Sequence, residues 1–257
     1  DIGARQAVAE RLHQLIKPVF IRRMKSDLEE KLPSKSIHPS MMPLSDHQEE
    51  LYERVMATRA EGRKDALKRL QKLFGICAHP ELPGPMSELP SVDEESFPKV
   101  ERAFEILDSV KQKSEKAIVF ANRKKVHRWL KRELDARYGL NVTVIDGSVN
   151  DSGVRMRKIE EFGKVRGFNV IILSTRAASV GLNVVAANHV IHYTREWNPA
   201  VENQASDRVY RFGQERDVHI HTLTATTERG TTGDQRLDEL LEDKRKLMAD
   251  FVIPMGG

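Results

Sequence analysis

The chain has 257 residues, 39% hydrophobic and 31% charged, the composition of a globular protein with a sizeable core rather than of a disordered tail. Its 42 Lys and Arg against 38 Asp and Glu leave a formal charge of +4, which is compatible with a nucleic-acid partner but does not identify one. A single cysteine, Cys77, excludes an internal disulfide framework and a multi-cysteine zinc site. Because no apolar run approaches the ~18 residues of a membrane span and the first residues lack a signal pattern, an intracellular location (cytoplasm, nucleoid or nucleus) is expected.

Up to about residue 115 apolar residues recur at helical spacing, first in "ARQAVAERLHQLIKPVF", then in "DHQEELYERVMATRA" and "DALKRLQKLFGICAH". Ser45 followed by Gln48 predicts a capping box opening the second of these helices. Between the first and second, "KLPSKSIHPSMMPL" is proline-punctuated and extended. "HPELPGPMSELPSVDEESFP" reads as a long proline-rich loop. Its "VDEES" has the composition of an acidic metal box, but no apolar strand precedes it, and it reads as solvated loop. The basic run "RKDALKRLQKLF" is expected to be an amphipathic helix with an exposed charged face.

From "EKAIVFANRKKVHRWLKREL" onward, short apolar runs alternate with amphipathic helices. The pattern predicts strands at 116–121, 142–146, 168–173, 189–193 and 218–223, and helices near 123–137, 151–162, 199–211 and 234–250. Strands that are apolar almost throughout and separated by helices imply an α/β fold, a doubly wound parallel sheet with helices on both faces, preceded by a helical N-terminal segment. Ligands of such sheets collect at the carboxyl ends of the strands.

The loops at those ends are polar. After the first strand come Asn122, Arg123, Lys124 and Lys125, cations at a helix start that suit a phosphate backbone or simply face solvent. After the second, Asp146-Gly147 signals a turn, and Ser148, Asn150 and Ser152 are placed to cap a helix or contact phosphate. "STRAASVGLNV" follows the third; Ser174 and Thr175 can donate to a phosphate, and a tight turn explains the small residues equally well. After the fourth strand, Asn198 and Pro199 start a helix expected to carry Gln204, Arg208 and Arg211 on one face, with Asp207 turned roughly 100° away from Arg208. His192, His219 and His221 read as sheet histidines, not a metal cluster, since no carboxylate or cysteine ligand is spaced to complete a site. Trp129 reads as core, and Trp197 as either a stacking platform or packing.

In order along the chain, "IVFANR", "DGS" with "RMRKIEEF", "ILSTRAASVGLNV" and "WNPAVENQASDRVYRFGQERDVHIHTL" resemble the blocks of the second RecA-like lobe of superfamily-two helicases. They are most similar to those of the SWI/SNF-type DNA-translocating ATPases. "LIKPVFIRRMKSDLEEKLPSK" resembles the family's entry segment, and "DELLEDKRKLMADFV" its closing brace helix. The resemblance implies a linker and insertion segment at 1–98, the lobe at 99–230 and a brace helix at 231–257. It implies that Arg208 and Arg211 are arginine fingers for the γ-phosphate of an ATP, bound with Mg2+ mainly by an N-terminal RecA-like lobe. Gln204, Gly181 and Asn183 would lie at the nucleotide, and Asn122, Arg123, Lys124, Ser174 and Thr175 along the backbone of double-stranded DNA. Ala178 and Ser179 stand where the family usually has two glycines, and the turn after "DGS" and the link "TTERGTTGDQRLDELL" are longer than usual. No G-x-x-x-x-G-K-S/T phosphate loop occurs in the chain, so negligible ATP hydrolysis is expected of it alone. The rival readings are a lobe of a strand-separating DNA or RNA helicase and a non-catalytic interaction module.

Overall fold

The computed structural model describes residues 32–80, 97–149, 151–178 and 182–252. The first predicted helix, "VDEES", Asn150, Ser179 and Gly181 lie outside the described residues. Six strands form one sheet: β1 (Lys35–Pro43), β2 (Lys116–Phe120), β3 (Thr143–Ile145), β4 (Asn169–Leu173), β5 (His189–His192) and β6 (Val218–Thr226). Their order across the sheet is β1-β6-β5-β2-β4-β3, and every pairing is parallel. The helices are α1 (Asp46–Met56), α2 (Arg63–Ala78), α3 (Pro98–Gln112), α4 (Lys124–Tyr138), α5 (Ser152–Lys164), α6 (Thr175–Ala178), α7 (Pro199–Ser206) and α8 (Gly233–Val252).

The pleat explains why the central strands β2 and β4 are apolar almost throughout. Ala117 and Val119 of β2 face one cluster with Ile106, Leu107 and Val110 of α3 and Trp129, Leu130 and Leu134 of α4. Ile118 and Phe120, one residue out of step, face the opposite cluster with Ile159 and Phe162 of α5 and Ala205 of α7. Trp129 is core, as expected.

Two elements differ from the expectation. The stretch expected only to be extended is a nine-residue strand, β1, paired in register with β6 from Lys35 opposite Val218 to Pro43 opposite Thr226. Pro39 and Pro43 are tolerated because β1 is an edge strand, where one side of the backbone needs no ladder partner. The helix expected to run to 211 ends at Ser206. Beyond it the backbone tightens: Arg208 N–H reaches Ala205 O, Val209 N–H reaches Ser206 O, and the Arg208 carbonyl is taken by Val184 N–H at 3.1 Å. Arg208 and Val209 N–H take i−3 carbonyls in place of i−4 and Arg211 N–H takes Val209 O, so the α-helix has ended and Gln204, Arg208 and Arg211 do not share a regular helical face.

The N-terminal helices are tied to the sheet by polar contacts. The expected capping box is present, with the Ser45 side chain accepting from Gln48 N–H and the Gln48 side chain from Ser45 N–H. Gln48 Nε2 also donates to Ile76 O at 2.7 Å, and Tyr193 donates its hydroxyl to Ala78 O. A second capping box opens α8, where Thr232 and Gln235 exchange backbone and side-chain bonds. Behind it Lys99 and Asp234 form a buried ion pair, and Asp234 also accepts Ala225 N–H.

On the α3 side of the sheet, four imidazoles stack across three strands. His38 lies opposite His221, and His189 opposite His219. His38 and His221 stack with centroids 5.0 Å apart, and His189 and His219 at 4.8 Å. Ser36 Oγ bridges His38 and His219, and Glu115 binds His189 Nε2 at 2.7 Å. Among the described residues no group of three or more ligand-type side chains is placed to hold a metal. Burial pushes the pKa of His221 down to about 3, helped by repulsion from His189 and His38, and burial holds His192 down to about 4.

These histidines are neutral when folded and near 6.5 when unfolded, so the unfolded chain binds more protons between those values. Their stability contribution is complete above pH 6.5 and is lost as the pH falls toward the folded values. A melting-temperature series should be flat near pH 7 to 8 and fall steeply below about 6.5, and His221→Leu should make the acid limb shallower by about one proton.

Candidate nucleic-acid and phosphate rim

Because all six strands are parallel, their carboxyl ends open on one rim. A groove of about 760 Å³ lies there, lined by Asn122, Arg123, Lys124, Ser174, Arg176 and Trp197, among others, and by Gln71 and Phe74 of α2. The structure thus brings together four of the five residues expected along DNA and places the fifth, Thr175, beside them: its hydroxyl lies 2.8 Å from Asn122 Oδ1.

Each is held by the fold in a particular way. Asn122 receives a tight setting from its neighbours: its N–H donates to Thr194 Oγ1 and its Nδ2 to Arg195 O. Thr175, 1% exposed, also sits 2.6 Å from Glu196 Oε2, so a carboxylate occupies the hydroxyl that the resemblance gives to a phosphate. Ser174 Oγ accepts Ala177 N–H, which makes it the cap of the short α6. Arg123 donates from Nη2 to Gln71 O, tying the groove to α2, and its burial lowers its proton affinity. Lys124, exposed at the first position of α4, points its charge at solvent beside the groove.

Below the floor, His127 is buried. Its Nε2 lies 2.6 Å from Ala121 O, and its Nδ1 is 3.9 Å from Asp146, whose carboxylate accepts from Ser148. Burial keeps this imidazole below its ordinary pKa. Trp197, 48% exposed, meets Phe74 edge-on at 5.4 Å. It is therefore both packed and presented. Arg176, Glu196, Gln71 and Phe74 were not among the expected groove residues, whereas Trp197 reads in the sequence as either a stacking platform or packing. Arg176 follows Thr175 directly, and its charge in "STRA" was a readable signal; Gln71 and Phe74 arrive only through tertiary packing.

Arg208 and Arg211 do not line the groove; they lie on the turn after α7. Burial, then the charge of Arg211, lowers the proton affinity of Arg208, and Asp207 partly offsets this. Asp207 pairs with Lys35 at 3.5 Å, and Lys35 also lies over the Tyr210 ring. Asn183 is exposed one residue before Val184, whose N–H binds the Arg208 carbonyl, and Gln204 is exposed on α7.

Gln214 fixes this turn from below. Gly213 adopts φ +90, a left-handed setting that favours glycine and turns the chain inward. Gln214, 7% exposed, then donates Nε2 to Val185, Ala187 and Val209 carbonyls, and its Oε1 accepts Arg216 N–H. The "FGQ" that follows the arginines is thus a structural clamp.

Sheet, groove and arginine turn together define a RecA-like lobe. Residues 98–213 match the helicase conserved C-terminal domain, and residues 3–82 match the SNF2-related domain. The chain belongs to the SNF2-type superfamily-two ATPases and carries their C-terminal lobe. It is 36% identical over 247 residues to the putative ATP-dependent helicase/translocase YwqA of Bacillus subtilis, covering 92% of this chain and 26% of that protein. It is 35% identical over 260 residues to Zorya protein ZorD of Escherichia coli, covering 95% and 24%. The chain therefore spans about a quarter of the length of these curated relatives. A solved Sulfolobus solfataricus SWI2/SNF2 ATPase core in complex with dsDNA is 27% identical, with a TM-score of 0.62, covering 95% of this chain and 52% of that one. Among the described residues no helix is long and apolar enough to cross a membrane.

Replacing Gln214 tests the clamp. Gln214→Ala should destabilise the chain by about 1–3 kcal/mol, and Gln214→Glu by more, since it sets a carboxylate against three carbonyl oxygens. Thermal unfolding of the two variants checks the order.

Proposed function

We propose that this chain is the second lobe of a two-lobe, ATP-driven motor that translocates along double-stranded DNA. In this reading residues 99–230 are the lobe, 1–98 leads into it and 231–257 braces it. The observation that carries the proposal is a division of labour: a groove with Asn122 and Thr175 at the carboxyl ends of the strands, and a separate turn bearing Arg208 and Arg211, held near their amino ends by Lys35 on Asp207 and by Val184 on the Arg208 carbonyl. Backbone contacts of the groove type give affinity without sequence readout. Its mixed lining, with Glu196 on Thr175, favours contacts that form and break over a static grip.

ATP is the substrate of the motor, and with its Mg2+ it is held mainly by the N-terminal lobe, since this chain has no phosphate loop. Arg208 and Arg211 close on the γ-phosphate from across the cleft. Their planar forks match phosphate oxygens, and their fixed charge offsets the negative charge of the transition state. Gln204, Asn183 and Gly181 lie toward the nucleotide. Alone, the chain hydrolyses ATP negligibly. The place of work is the nucleoid or chromatin, in keeping with relatives named as chromatin-remodelling ATPases.

Strand separation is the second enzymatic reading. The likeness to a core solved on dsDNA favours translocation along an intact duplex, and a fluorescence unwinding assay discriminates between the two. In the full-length protein, Arg208→Ala or Arg211→Ala should reduce DNA-stimulated ATP turnover by about a thousandfold or more while ATP binding survives. Normal turnover in both variants refutes the assignment.

A further inference from the structure

Between groove and arginine turn lies a buried carboxylate that neither role uses. Glu202, in the middle of α7, is 1% exposed. Its two oxygens accept four hydrogen bonds: Arg195 Nε at 3.0 Å, Arg195 Nη2 at 2.9 Å, Glu196 N–H at 3.1 Å and Arg245 Nη2 at 2.7 Å. Arg195, equally buried, spends its remaining nitrogen on Asp238 of α8. A bidentate fork on a fully occupied carboxylate has one geometry, so loop, α7 and α8 are locked to each other at this point.

The same loop reaches the groove. Arg195 O accepts from Asn122 Nδ2, Thr194 Oγ1 accepts Asn122 N–H, and the Glu196 carboxylate lies on the Thr175 hydroxyl. On the other side, Ser206 Oγ binds Glu202 O and His192 Nε2, and Ser206 O accepts both Val209 and Tyr210 N–H. A phosphate taking Asn122 and Thr175 must displace Glu196. Glu196 N–H hangs on Glu202, and Glu202 is one turn before the segment that sets Arg208 and Arg211.

Resting on the reading of groove and arginine turn given above, we propose that Glu202, clamped by Arg195 and Arg245, is the positioning residue that makes arginine placement depend on groove occupancy. It touches neither DNA nor nucleotide. It transmits because α7, which it fixes, runs from the groove loop to the arginine turn. Through Asp238 and Arg245, α8 bears on the same carboxylate and sets its resting position.

The test is steady-state ATPase of the full-length protein with and without duplex DNA, alongside DNA affinity and ATP KM. Glu202→Gln keeps the shape and removes the charge. It should lower the DNA-stimulated kcat about a hundredfold, the loss expected for a small misplacement of a catalytic group, with basal turnover, ATP KM and DNA Kd little changed. Full stimulation in Glu202→Gln overturns the proposal, and so does a loss traced entirely to weaker DNA binding. If Glu202→Gln does not fold, Arg195→Lys, which keeps the charge but not the fork, and Arg245→Met, at a partly exposed position, decide in its place: each should cut stimulation severalfold, and full stimulation in both overturns it. Arg208→Ala, run in parallel, separates the two levels. If it leaves turnover intact, the reading of the arginine turn fails; if it abolishes turnover while Glu202→Gln is fully stimulated, only the coupling role fails.

Discussion

A parallel sheet buried on both faces has no choice about where its polar loops go. Each strand of this sheet runs the same way, the central ones are covered front and back by helices, and the backbone between them must return over a face before the next strand starts. The carboxyl-end loops are therefore gathered on one rim. Asn122, Thr175, Thr194 and Arg195, far apart in the chain, meet there because β2, β4 and β5 are neighbours in the order β5-β2-β4. The chemistry of the lobe follows from that adjacency.

Much of this was legible in the residues. The alternation of Ala117, Val119 with Ile118, Phe120 left no polar face, and that alone implied helices on both sides. The Ser45 to Gln48 spacing located a helix start correctly. Groove residues were found because a strand end followed by Asn, Arg, Lys or Ser-Thr is a local pattern. What stayed hidden was tertiary. The edge strand β1 was masked by Pro39 and Pro43, since whether a proline breaks a strand depends on which neighbour it has. The early end of α7 was masked because periodicity does not record that Arg208 and Val209 N–H turn to i−3 carbonyls. Glu202 was unremarkable in "WNPAVENQ", and its meaning appears only when Arg195 and Arg245 converge on it.

The electrostatics divide in the same way. Exposed pairs such as Arg236 with Glu239 contribute little and carry no information about function. The buried ones are different in kind. Burial raises the Glu202 carboxyl, and the surrounding positive groups, Arg195 chief among them at neutral pH because His192 is held neutral, bring it down to about 2. Such a group stays charged well below neutral pH. Lys99 with Asp234 does comparable work at the start of α8. Specificity of geometry, more than net stability, is what a buried pair of this sort supplies.

The edge strand has a mechanical meaning beyond its place in the sheet. β1 is anchored at its start by Ser34, which exchanges backbone and side-chain bonds with Asp217 and Val218, and by Lys35 on Asp207. A tension applied to the polypeptide ahead of residue 34 and directed along β1 meets the nine register pairs with β6 together, not one after another. Pulling on the leading segment is thus resisted by the whole ladder at once, so β1 holds in shear what a peeled edge strand would give up pair by pair.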